Sequence, residues 1–199
     1  MLRSDIIKSC DSVLTHDKVI RIYNSMRVLP RGYRLKSDDA WCASWVTAVF
    51  ALNDYYDIAE CSCNEMVKKA INRGIWIEQD NYKPMIADVI LYDWQDNGKG
   101  DNNGTPDHVG IVIAVDGNKL TIREGNKGGA VGYRIINVND RYIRGYITPP
   151  YENEKPLPKL KTVDDVVNAI INGQFGNGER RKDKLYNYFQ KLVNNKLKR

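Results

Sequence analysis

Histidine is nearly missing from this 199-residue chain, which holds only His16 and His108. Cysteine is almost as scarce, at Cys10, Cys42, Cys61 and Cys63. Four cysteines so clustered do not make the disulfide framework of a small secreted fold, and thiols are the expected state. Cys61 and Cys63 are one residue apart with no second Cys or His pair nearby, so they read as packing residues rather than zinc ligands. No apolar run approaches the length that spans a bilayer, which excludes stable membrane insertion as an expectation. The first residues, Met1 to Cys10, carry charge where a signal peptide keeps its apolar stretch, implying synthesis in a cytosol without a secretion signal. A nucleic-acid partner is not expected. No helix-turn-helix, zinc or RNA-binding signature is present, and the aromatics do not alternate with Arg and Lys as a stacking groove requires.

What is present suffices for one ordinary domain and a small module, with 42% hydrophobic residues to build a core. Charge is uneven. From Lys155 onward eleven Lys and Arg face four Asp and Glu, about +7, so the +5 of the whole chain leaves residues 1–154 near −2. By sign alone such a tail suits nucleic acid, an anionic membrane or an anionic wall polymer.

Apolar spacing predicts two helices over residues 3–27, interrupted near Thr15, and Pro30-Arg31-Gly32 then breaks the pattern. Ser37, Asp38 and Asp39 precede an almost unbroken apolar run to Leu52 and are expected to cap a deeply buried helix. Ser62 with Glu65 forms a capping box for the next helix, which Gly74 ends. His16, in the polar start of an early helix, reads as a solvated or capping residue. From Ile75 the period changes to two, and six short runs rich in Val, Ile, Tyr and Trp predict a meander of antiparallel strands. Helices followed by strands define an α+β layout.

Cys42 falls in the first turn of the buried helix, where unpaired N–H groups and the helix dipole favour a thiolate, the form that attacks carbonyl carbon. A hairpin supplies its partners. Asp116-Gly117-Asn118 is a turn sequence, and a three-residue loop there puts His108, Gly110 and Val112 on one sheet face with Ile122, Glu124 and Asn126. Gly110 would leave room for a large group to approach that face. Thiol, imidazole, carboxylate and carboxamide together suit a thiol hydrolase. His108 takes the Cys42 proton or pairs with the thiolate, and Glu124, with Asn126, orients the ring. The backbone N–H of Cys42 is the expected oxyanion donor.

Trp41-Cys42-Ala43, Ala87-Asp88-Val89-Ile90-Leu91-Tyr92, Asp107-His108-Val109-Gly110-Ile111-Val112 and Glu124-Gly125-Asn126 resemble, in matched order over residues 10–148, the CHAP domain of the NlpC/P60-like peptidoglycan hydrolases. The resemblance implies a papain-like, NlpC/P60-like domain with N-terminal helices on an antiparallel sheet. It also implies Cys42 as nucleophile, His108 as general base, Glu124 and Asn126 completing the site, and cleavage of an amide in cell-wall peptide, with no metal or other cofactor. The type of activity is either endopeptidase or N-acetylmuramoyl-L-alanine amidase. The polar loop from Asp93 to Asp107 is dense in oxygen donors that calcium could use, but its spacing is not that of an EF-hand, and a loop flanking the cleft is the simpler expectation.

Four prolines among residues 149–158 predict a stiff spacer over 149–161, separating a domain over 1–148 from a helical module over 162–199. Thr162 should cap a helix with Val163, Val166, Val167, Ile170 and Ile171 as its apolar face. The run from Ile170 to Arg181 resembles the CW_7 cell-wall-binding repeat, which implies wall binding by Gly176, Asn177, Gly178 and Arg181. Peptidoglycan is thus the expected partner, while the oligomeric state stays open. The whole resembles a phage or prophage endolysin acting at the bacterial wall. A wall-binding protein without activity, or an antibacterial amidase toxin, are the other readings.

Overall fold

A computed structural model of the chain describes residues 1–152, 162–171, 185, 186 and 189. The chain divides into two compact units, Met1–Glu152 and Asn153–Arg199. Among the described residues no helix is long and apolar enough to cross a membrane.

The first unit is α+β. Helices α1 (Arg3–Ser12), α2 (His16–Asn24), α3 (Cys42–Ala51) and α4 (Cys63–Asn72) come first. Strands β1 (Trp76–Ile77), β2 (Val89–Tyr92), β3 (His108–Asp116), β4 (Lys119–Lys127), β5 (Ala130–Asn137) and β6 (Ile143–Ile147) follow. Three helix boundaries have a local cause. The Thr15 hydroxyl accepts from the Lys18 N–H at 3.3 Å to open α2, and the Ser62 hydroxyl accepts from the Glu65 N–H at 3.5 Å to open α4. Gly74, at φ +67, follows α4 with the backbone twist that a glycine adopts freely.

Helix α3 departs from expectation. Ser37, Asp38 and Asp39 do not cap it; Asp39 instead accepts from the Lys36 N–H at 2.7 Å and the Tyr33 hydroxyl at 2.8 Å, closing a separate turn. Trp41 is the N-cap residue and makes no side-chain cap bond. The reason is burial: nine consecutive residues, Cys42 to Phe50, are buried, so a carboxylate at the cap would be drawn out of water, whereas the earlier turn leaves it partly solvated.

The sheet is antiparallel, in the order β1-β6-β2-β3-β4-β5. It is not the expected meander, because β6 returns to insert between β1 and β2. Gly145 permits that insertion, since a Cβ there would lie 2.5 Å from the Trp76 ring. Alternate residues of the strands feed two cores. Val89, Leu91, Val109 and Ile111 pack with Ile6, Val19, Tyr23, Trp45 and Met66 of the helices. Ile90, Tyr92, Val112 and Ile122 form a smaller cluster with Tyr82, Trp94 and Ile136. Burial of both faces accounts for the continuous apolar run of β2.

Residues 149–152, expected to begin the spacer, pack on the first unit. Tyr151 donates to the Ala87 carbonyl at 2.6 Å, its ring carries the Arg3 guanidinium at 4.2 Å, and the Glu152 N–H donates to the Met1 carbonyl at 3.0 Å. Arg3 also pairs with buried Asp88 at 2.7 Å, so the two ends of the unit are tied to the start of β2. The rest of the expected spacer lies outside the described residues.

In the second unit, α5 (Val163–Ile171) is opened by a reciprocal capping box. The Asp165 N–H donates to the Thr162 hydroxyl at 3.1 Å and the Thr162 N–H to the Asp165 carboxylate at 3.0 Å. The expected apolar face is largely solvent-facing: Val163, Val167 and Ile171 are exposed, and Ala169 is the buried residue of the helix.

Candidate active site

Cys42 is the first residue of α3, and the packing of α3 on β4 decides where it points. Gly125 makes that packing possible, because a Cβ there would stand 2.3 Å from Trp45 Cβ and 3.2 Å from the Trp41 ring. The start of α3 thus rests on bare backbone beside Glu124.

The hairpin reaches the expected register by a different route. Its loop has two residues, Gly117 and Asn118, between paired Asp116 and Lys119. A bulge between Val112 and Ala114 then shifts the pairing, so that Val112 faces Ile122 and Ile111 faces Arg123. The one extra residue sits in the strand instead of the turn, and the even positions still share a face. Gly110 serves a purpose other than the one expected. A Cβ there would meet Glu124 Cγ at 2.8 Å and Ile122 Cγ2 at 2.5 Å, so the space above it is filled by the Glu124 side chain on its way to His108.

The result is a hydrogen-bonded chain. His108 Nε2 lies 3.2 Å from Glu124 Oε2, and the ring is near enough to Cys42 for each to shift the other, the thiol down and the imidazole up. Glu124 is fully buried, and Arg134 of β5 holds it bidentately, with Nε 2.6 Å from Oε1 and Nη2 3.0 Å from Oε2. Arg134 is itself sandwiched against the Trp94 ring, 4.5 Å away. Trp94 stacks on Tyr92 and stands 6.4 Å from the His108 ring, forming an aromatic wall beside the imidazole.

Cys42 has a second neighbour, the thiol of Cys63 at 3.8 Å. The hydrogen bond from Cys63 is the largest influence lowering the Cys42 thiol, which reaches about 5 despite burial, with help from the His108 bond and charge and from the Ala43 N–H. Burial works against a charged His108, but its bonds to Cys42 and Glu124 and their negative charges win and raise it to about 9. Glu124, which burial would raise, is held below the usual carboxylate range by His108 and Arg134. Near neutral pH the resting site is therefore a thiolate–imidazolium pair. No side-chain cap bond is made at the N-cap of α3, and the first N–H groups of a helix have no partner within it, which is what an oxyanion donor requires.

Cys42, His108 and Glu124 are thus brought together. Asn126 lies in a bulge where the β4–β5 register shifts, at φ +56, a conformation asparagine tolerates well; among the described residues it makes no hydrogen bond to His108. Gly176, Asn177, Gly178 and Arg181 lie outside the described residues. His16 is neither solvated nor a cap: it stacks on Trp41 at 4.7 Å with its Nε2 buried, and Thr15 does the capping. Cys61 and Cys63 do more than pack, since Cys61 Sγ accepts from Arg31 at 3.2 Å and Cys63 touches Cys42. In the Asp93 to Asp107 loop, Asp93, Asp96, Asn97, Asn102 and Asp107 all accept from the loop's own N–H groups. Among the described residues no group of three or more His, Cys, Asp or Glu is placed to hold a metal ion.

Sequence reasoning missed Arg134, Cys63 and Trp94. For Arg134 a signal existed: Glu124 pairs with Gly132 and Ile122 with Arg134, so an arginine two residues beyond a glycine sits diagonal to the carboxylate on the same face.

Residues 31–126, which hold the start of α3 and the β3–β4 hairpin, match the family model of the CHAP domain. A second family model, the CW_7 repeat, matches residues 164–197. Two solved structures are similar in fold. The crystal structure of Ly7917 has a TM-score of 0.46 at 17% identity, over 75% of this chain and 63% of that one. The crystal structure of Ly7917 with the hydrolyzing product of MDP has a TM-score of 0.45 at 16% identity, over 74% and 63%. The chain thus spans less than two thirds of the length of these structures. No curated protein matches it.

Proposed function

We propose that the chain is a cysteine-dependent peptidoglycan hydrolase, of the endolysin kind, that cuts an amide bond in cell-wall peptide through an acyl-enzyme. The observation that carries this reading is the convergence of Cys42 with His108, each shifting the other, at the end of a hydrogen-bonded chain from His108 through Glu124 to Arg134.

The Cys42 thiolate adds to the amide carbonyl carbon, and the oxygen takes up negative charge against the Cys42 N–H at the uncapped start of α3. His108, already protonated in the resting pair, donates its proton to the departing amine, and the C–N bond breaks to leave a thioester. Neutral His108 then takes a proton from water, whose oxygen attacks the thioester and releases the acid and the thiolate. Glu124 stabilises the charged ring at each stage and fixes which nitrogen faces the sulfur. Trp94 offers the substrate an apolar wall. The CW_7 repeat is the proposed wall-binding part, and whether the scissile bond joins sugar to peptide or lies within the peptide is what product analysis decides.

Incubation of the purified protein with isolated walls tests this. Lysis that falls at least about 10⁴-fold in Cys42→Ala supports the enzyme. Wall binding without lysis by the wild-type chain would leave a wall-adhering protein instead. Mass spectrometry of the released fragments distinguishes amidase from endopeptidase.

A further inference from the structure

The mechanism above uses one thiol, yet the site holds two. Cys42 and Cys63 each open a helix, α3 and α4, and their sulfurs meet at 3.8 Å in a region where both side chains are nearly buried, at 7% and 8% exposure. A catalytic cysteine needs a histidine and an oxyanion donor; it has no need of a second thiol in van der Waals contact with its sulfur. The other buried cysteine, Cys10, shows that the chain can bury a thiol without such a partner.

We propose that Cys42 and Cys63 form a reversible oxidation site for hydroperoxides, in which Cys63 is the resolving thiol that converts an oxidised Cys42 into a disulfide. The proposal rests on the assignment of Cys42 as the reactive sulfur. The Cys42 thiolate attacks a peroxide oxygen; an S–O bond forms, the O–O bond breaks, and the leaving hydroxide or alkoxide takes the proton held by His108. Cys63 sulfur then attacks the sulfenic sulfur, an S–S bond forms, the S–O bond breaks, and the departing hydroxide leaves as water with the Cys63 proton. With hydrogen peroxide the two thiols are oxidised to a disulfide and the peroxide is reduced to two waters.

The geometry suits this. Closing from 3.8 Å to the ~2.0 Å of a disulfide asks for about 1.8 Å of approach, within the reach of side-chain rotation at two helix starts. The third nearby thiol is turned elsewhere, because Cys61 Sγ is engaged by Arg31 at 3.2 Å. In the disulfide state the nucleophile is blocked, and it is also protected from the irreversible sulfinic and sulfonic acids. A lytic enzyme that meets peroxide would be switched off and later recovered by thiol reductants, instead of being lost.

The test is peptide mapping by mass spectrometry of the full chain after brief treatment with hydrogen peroxide, with and without dithiothreitol. The expected result is a Cys42–Cys63 cross-linked peptide, two hydrogen atoms lighter than its halves, that disappears on reduction. It persists in Cys61→Ala and in Cys10→Ala. In Cys63→Ala and Cys63→Ser, Cys42 instead gains two or three oxygens that dithiothreitol does not remove. Wild-type protein that accumulates sulfinic or sulfonic Cys42, or links Cys42 to Cys61, overturns the proposal. Because the readout is covalent mass, it does not depend on lysis: a cross-link in a protein that never lyses walls would refute the hydrolase reading alone.

Discussion

The end of α1 and the start of α3 each bury a cysteine, and the two thiols are driven in opposite directions. Cys10, 1% exposed, is pushed up to about 12 by burial, against a small pull from Arg123. Cys42, 7% exposed, is brought down to about 5. Helix position does not explain the difference. Cys63 also opens a helix and yet is raised well above an ordinary thiol, first by its bond to Cys42 and then by burial. What separates the three is side-chain partners: a backbone N–H lowers each, but Cys42 alone is also lowered by a thiol donor and an imidazolium. A place in the first turn of a helix is therefore not what sets Cys42 apart from Cys63.

Removing partners should erase the contrast by degrees. Glu124→Gln has the largest expected effect, because it leaves His108 without its anion and half-buried Arg134 without its counter-charge. Lysis should fall by about 10³-fold with the fold retained by circular dichroism, and a loss under tenfold would mean that the carboxylate does not steady the ring. Gly125→Ala comes next. A methyl 2.3 Å from Trp45 Cβ must push α3 off β4, lowering thermal stability by about 1–3 kcal/mol. By misplacing Cys42 it should also reduce lysis about 10²-fold; unchanged stability and lysis would show that the close contact is not needed. Arg134→Lys keeps the charge but loses the fork, and should lower turnover about tenfold with little change in the substrate concentration for half-maximal rate. Wild-type turnover in that variant would reduce Arg134 to a bystander.

Much of the fold was legible because strands and helices announce themselves locally. The period-two runs fell on the six strands, and Thr162, Ser62 and their acidic partners three residues on marked real helix starts. What escaped was set by distant packing. That β6 inserts beside β2 depends on Gly145 passing Trp76, and Asp39 closes a separate turn because α3 is buried from Cys42 to Phe50. The hairpin register came out right through a bulge that no turn residue signals. The site divides in the same way. Cys42, His108 and Glu124 were visible as a hairpin facing a helix start, whereas Cys63 is placed by the packing of α4 and Trp94 by a loop, neither of which has a local pattern. Asn126, singled out for the site, stands in left-handed backbone at the bulge that follows Glu124.

The most direct measurement is the pH dependence of iodoacetamide alkylation at each cysteine, followed by peptide mass spectrometry. Cys42 should react faster than Cys10, Cys61 or Cys63 at neutral pH, with a rate that titrates near pH 5, the value its partners impose. In His108→Ala the midpoint should climb toward that of a free thiol, about 8.5. Lysis should follow the same pair, rising as pH passes about 5 with Cys42 deprotonation and falling as it passes about 9 with loss of the His108 proton. A wild-type Cys42 midpoint near 8.5, unmoved by removing the imidazole, would contradict the thiolate–imidazolium pair on which the account depends.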